Sequence, residues 1–196
     1  QYKVGQCFSE AVWLNRMSIP EKWFVDSDSV YIQSIARRIE ARQGVSFEKA
    51  HPGFCWAARR EVLEEIGGLY DYHIIGSGDT VMTFGFYGIE DRPFFGRIAG
   101  GAYQAVAEPW AKRAHRVVDR SVGCVPGRIR HLWHGDRSGR KYTQRIVELA
   151  ELGFEPKCHL IENEAGLWKW SPTTPEAIKD YVQTYFENRK EDPLTP

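Results

Sequence analysis

"GFCWAARREVLEEIGGLYDYHIIGSGDT", residues Gly53–Thr80, changes its hydrophobic period twice within a short compass. Phe54–Ala58 is an apolar run behind the Pro52-Gly53 turn and reads as a buried strand. Glu61–Ile66 follows at helical spacing, and Gly67-Gly68 supplies the left-handed stop that ends a helix. "YDYHIIGSGD" then leads into a second helix, Thr80 to about Phe86. Strand and helix in close succession point to the α/β class.

Outward from this stretch, residues 2–14 alternate as a strand, and Ile32, Ile35, Ala36 and Ile39 recur at the spacing of a helix running from Val30 to about Gln43. Glycines and prolines across 88–101 ("GIEDRPFFGRIAGG") predict a loop, and Ala105–Asp119 a helix that Pro109 could delay. Gly127–His134 sets Ile129, His131 and Trp133 against Arg128, Arg130, Leu132 and His134, which is a strand period. Tyr142–Leu152 reads as a helix stopped at Gly153. Thr174-Pro175-Glu176 is a cap, a first-turn proline and an acid, opening a helix with Ile178, Tyr181, Val182, Tyr185 and Phe186 on one face. The expected organisation is a single domain over 1–196, with its core in about 1–170 and a C-terminal helix at 174–190.

Composition narrows the class. The 196 residues carry 26 Lys or Arg against 26 Asp or Glu, so no overall field draws the chain to nucleic acid or membrane, and any anion site must be local. No apolar run reaches membrane-spanning length. Four cysteines (Cys7, Cys55, Cys124, Cys158) lack CxxC spacing and read as buried thiols in a reducing, cytoplasmic setting. Gln1 opens directly in strand-like residues, so the chain is expected to begin inside a larger protein.

The Gly53–Thr80 stretch resembles the acceptor-side half of GT-A glycosyltransferases, particularly those of the galactosyltransferase type. In them a Gly-aromatic strand leads through an "R-R-E" helix to a Gly-Gly-Glu-Asp turn. The resemblance covers about residues 5–150 and implies a partial GT-A fold, a mixed sheet flanked by helices. It implies transfer of a hexose, galactose or a relative, from a nucleotide-sugar to a saccharide hydroxyl, with Asp79 of "GSGDT" removing the acceptor proton. Gly78 stands where the family has Glu, and Thr80 where a further acid follows. Such chemistry needs a carboxylate held in hydrogen-bond reach of the incoming hydroxyl. Gly76 and Gly78 would let a sugar approach the backbone, while Phe54 and Trp56 would floor the acceptor site, since indole rings pack on the apolar faces of sugars. The bland reading makes Asp79 a helix cap and Trp56 a core residue.

In "RIRHLWHGDRSGRKYTQR", Arg128–Arg145, the same resemblance implies a divalent metal held by His134, with His131 as second ligand, and a pyrophosphate met by Arg137, Arg140 and Lys141. Imidazole suits Mn²⁺ better than Mg²⁺ or Ca²⁺. The competing reading is a solvated basic loop. Asp26-Ser27-Asp28 has the spelling of the family's metal-binding acid pair, but roughly 100 residues of nucleotide-binding fold should precede that pair. It is therefore read as a turn, with the true pair in an N-terminal nucleotide-binding half upstream of Gln1. Trp168 and Trp170 are expected to cover the domain, and His51 and His73 to be structural or exposed. Two rivals from other classes are a non-catalytic carbohydrate-binding domain of GT-A origin and a metal-dependent nuclease built on His-x-x-His.

Overall fold

The computed structural model describes residues 1–22, 29–89, 92–135, 137–142 and 144–189. In chain order its elements are β1 (Val4–Gln6), β2 (Glu10–Leu14), β3 (Pro20–Glu21), β4 (Tyr31–Ser34), α1 (Ile35–Glu40), β5 (Ala50–His51), β6 (Trp56–Ala58), α2 (Arg60–Ile66), α3 (Gly78–Tyr87) and α4 (Arg92–Ala99). They continue with α5 (Gln104–Val118), β7 (Val122–Cys124), β8 (Arg128–His131), α6 (Gln144–Glu151), α7 (Pro156–His159), β9 (Leu160–Glu162), β10 (Trp168–Trp170) and α8 (Glu176–Asn188). Short 3₁₀ turns lie at Gly101–Tyr103 and Arg137–Arg140. The fold is mixed α/β. Its contacts group it into two compact units, the first made of 1–70, 79–90 and 110–133, the second of 71–78, 91–109 and 134–196.

The first unit holds two mixed sheets. β1 lies between antiparallel β6 and parallel β7. β2 pairs antiparallel with β3 and β4 and parallel with β8, and β4 pairs parallel with β5. The register Ala11↔Ile129 and Trp13↔His131 puts these four side chains on one face of the sheet. That face builds a core of Phe8, Ala11, Trp13 and Ile32, with Phe54 and Ile129 packed against it. α2 ends at Gly67 in the left-handed conformation (φ 81°), and the Arg113 guanidinium donates to the free Ile66 carbonyl at 2.7 Å. Trp110 of α5 fits its ring over Gly85, where any Cβ would collide with it.

In the second unit, α4, α6 and α8 bury Phe95, Ile98, Ile146, Leu149, Ile178, Val182 and Tyr185. The β9–β10 hairpin joins them, Trp170 meeting Phe154 edge-on and Trp168 lying 5.0 Å from Tyr72, as befits covering residues.

Several sequence expectations change. Residues 2–14 are two strands in different sheets rather than one. Residues 31–34 form β4, because Ile32 and Ser34 alternate into the sheet; Ser34 then caps α1, its hydroxyl accepting from Arg37 N at 3.1 Å. The expected loop at 88–101 contains α4, in which Phe95, Ile98 and Ala99 share a buried stripe, Pro93 sits in the tolerant first turn and Gly96 faces open space. Thr174 does not cap α8: its hydroxyl donates to the His159 carbonyl at 3.0 Å. The cysteines are free, but Cys55 and Cys158 are exposed and the other two half-buried. No helix among the described residues is long and apolar enough to cross a membrane.

Candidate functional site

In the first unit the site grows from a buried amide. Gln6 of β1 is wholly buried, and its side chain donates to the carbonyls of His51 (3.0 Å) and Gly53 (3.1 Å) while accepting from Ala36 N (3.1 Å). All of its principal hydrogen-bonding capacity is used, so the 51–53 segment is fixed against β1 and α1. Gly53 N in turn donates to His51 Nδ1 at 3.0 Å, which leaves the neutral ring's proton on Nε2.

Over Gly53 lie two functional groups. A Cβ built there would run into Asp79 Oδ2 and would come within 2.9 Å of His51 Cε1 and 3.3 Å of its Nδ1. Carboxylate and imidazole thus share the space that the missing side chain leaves. Asp79 sits in the first turn of α3, where its Oδ1 accepts from Thr80 N at 2.8 Å. One oxygen therefore accepts from a free amide of the first turn and the other faces Gly53; Asp79 lies inside the helix rather than at its N-cap.

His51 is stacked on Phe54 with ring centres 4.1 Å apart, and Trp13 meets it edge-on at 5.1 Å. His131 joins the same aromatic group, 4.9 Å from Phe54 and 5.9 Å from Trp13. Burial, with His131 adding to it, pushes the His51 pKa down to about 3, so the ring is neutral at physiological pH. Phe54 holds a left-handed backbone (φ 73°), an uncommon conformation for an aromatic residue and one that tends to mark functional segments. Trp56 donates its indole N–H to the Pro52 carbonyl at 2.7 Å, and its ring meets Phe86 edge-on at 5.3 Å.

The second unit holds the other predicted residues. His134 follows the end of β8, and one guanidinium nitrogen of Arg140 lies 2.7 Å from its Nδ1, 2.8 Å from its Nε2 and 3.2 Å from its carbonyl. Lys141 is paired with Glu148 at 3.1 Å. Gly76 (φ 101°) and Ser77 (φ 76°) form a left-handed turn just before Gly78 and α3. Arg137 opens a 3₁₀ turn, but its side chain, like the Asp26 and Asp28 pair, lies outside what is described. His131 and His134 fall in different units. No group of three or more His, Cys, Asp or Glu able to hold a metal occurs among the described residues. His134 offers one imidazole, and a metal could reach its nitrogens only after Arg140 moved away.

Sequence reasoning singled out Asp79, took His51 for structural or exposed, and singled out neither Gln6 nor Arg145. For His51 the signal was the "HPG" spelling immediately before the aromatic strand; for Arg145 it was the i, i+4 spacing with Leu149 on the apolar stripe of α6. No protein-family model, curated protein or solved structure matches this chain.

Proposed function

We propose that this chain is the acceptor-side part of a glycosyltransferase, in which Asp79 takes the proton from a saccharide hydroxyl as that oxygen attacks the anomeric carbon of a nucleotide-sugar. The new C–O bond forms as the bond from sugar to diphosphate breaks, and the diphosphate leaves with the electron pair. The observation that carries this reading is the convergence of Asp79 Oδ2 and His51 on bare Gly53. The imidazole beside the carboxylate is neutral and brings no positive charge to it. The aromatic group of Trp13, Phe54 and His131 lines the same neighbourhood with flat apolar surface suited to a sugar ring.

On the donor side, Arg140 and Lys141 have the chemistry to meet a diphosphate, each after leaving its present partner. The metal requirement is a separate part of the proposal, and no step here runs through it. The test is transfer of labelled sugar from a panel of nucleotide-hexoses to saccharide acceptors, comparing parent with Asp79→Asn in the whole protein. A general base lost in this way lowers kcat by about 10²–10⁴ with donor affinity nearly unchanged. Equal turnover would remove Asp79 from the mechanism. The seating of Arg140 on His134 favours one second reading, a carbohydrate-binding domain without turnover. Saccharide binding with no transfer from any donor would identify it.

A further inference from the structure

Arg145 is buried in the second unit, only 6% exposed, and no carboxylate among the described residues pairs with it. One terminal nitrogen donates to the Arg140 carbonyl and to the Tyr185 hydroxyl, both at 2.9 Å. The other donates to the Ser77 hydroxyl at 3.3 Å. The guanidinium carbon lies 5.0 Å from the centre of the Tyr142 ring and 5.8 Å from that of Tyr185. Its Nε is buried with no hydrogen-bond partner.

An unpaired buried cation is costly, and an apolar residue of similar volume would ordinarily be more stable in its place. What an apolar residue cannot do is reach three segments at once. The fixed fork of a guanidinium can, whereas an ammonium concentrates its donors at one point. The three segments here are α8, the Arg137–Arg140 turn and the Gly76-Ser77 turn. The last is shaped around Arg145. A Cβ at Gly76 would stand 2.6 Å from its terminal nitrogen, and Ser77 holds a left-handed conformation that a non-glycine residue keeps only where its surroundings enforce it.

We infer that Arg145 is a positioning residue, a clasp that ties the left-handed turn leading into the helix of Asp79 to the loop bearing Arg140 and His134. The path is continuous: Ser77 to the Arg145 fork, the fork to the Arg140 backbone, and the Arg140 side chain to His134. Its catalytic meaning rests on the proposed transferase reading. Its mechanical meaning does not.

The experiment is hydrogen–deuterium exchange on the whole protein, comparing parent, Arg145→Lys and Ser77→Ala, followed by transfer assays on the same samples. Lysine keeps the charge and loses the fork. The clasp predicts roughly tenfold faster exchange at both 76–80 and 138–142 in Arg145→Lys, with the first helical turns of α2 and α5 unchanged. Ser77→Ala, which cuts one arm only, speeds exchange at 76–80 and also decides the matter should Arg145→Lys fail to fold. Unchanged exchange at 76–80 in the folded variants would overturn the clasp, as would a uniform rise throughout the chain. Where the turn loosens, kcat for transfer to a saccharide should fall ten- to a hundredfold from misplacement of the reacting groups. A loosened turn with full activity would overturn the positioning role. A parent that transfers sugar from no donor would sink the transferase reading, while the exchange result still judges the clasp.

Discussion

Gly53→Ala isolates the geometry of the candidate site without presupposing any substrate. Gly53 has no left-handed φ, so alanine meets no backbone penalty, and stiffening the unfolded chain should by itself stabilise by about 0.4–1 kcal/mol. Against this stands the new methyl group, which overlaps Asp79 Oδ2 and approaches His51 Cε1 to 2.9 Å. The Gly53 backbone has little freedom to retreat, since Gln6 holds its carbonyl and His51 its amide. Overpacking of this kind costs about 1–3 kcal/mol, which leaves a net loss of about 1–2 kcal/mol. Urea unfolding followed by circular dichroism would measure it for Gly53→Ala, Asp79→Ala and the double variant. Removing the carboxylate relieves one of the two collisions, so the double variant should be about 1 kcal/mol more stable than the sum of the single effects predicts. Additivity within about 0.3 kcal/mol would mean that Asp79 does not lie against Gly53, and the site as described would be wrong.

Trp56→Phe removes the indole bond to the Pro52 carbonyl and should cost about 1 kcal/mol of stability while leaving acceptor KM unchanged; a raised KM in a fully stable protein would return Trp56 to the acceptor site. His73 is buried with Nε2 2.8 Å from the Ile98 carbonyl, and burial above all pulls its pKa down to about 4. The unfolded chain, near 6.5, protonates first, so this group's contribution is whole above about pH 6.5 and is lost as pH falls toward 4, on the order of 3 kcal/mol. Denaturation curves across that window should be flatter for His73→Gln, and identical slopes would refute the assignment. If His134 binds Mn²⁺ once Arg140 swings away, His134→Ala should raise the Mn²⁺ concentration needed for half-maximal turnover. Superimposable titrations would leave His134 as no more than the seat of Arg140.

What the sequence disclosed follows the range of the forces involved. α2 was legible with its stop, and α3 to within two residues, because periodicity and a left-handed glycine act over a few residues. The break between β1 and β2 was not, since Cys7-Phe8-Ser9 contains no breaker and the two strands part only because they pair with different partners. Ile32 satisfied a helical and a strand period alike, and its pairing with Ala11 decided between them. The site divides in the same way. Asp79 stood out beside its glycines, whereas the approach of His51 depends on Gln6, 45 residues away, and the value of Arg145 depends on Tyr185, 40 residues away.

The alternation of chain segments between the two units bears on how such a protein can change. Each unit is assembled from three separate stretches, so the chain passes from one to the other five times. Two of these passages fall within continuous helices, at 78–79 in α3 and at 109–110 in α5. A recombination event that exchanged one unit as a cassette would need five crossovers, two of them severing a helix. An exchange at any single boundary would therefore carry stretches of both units with it.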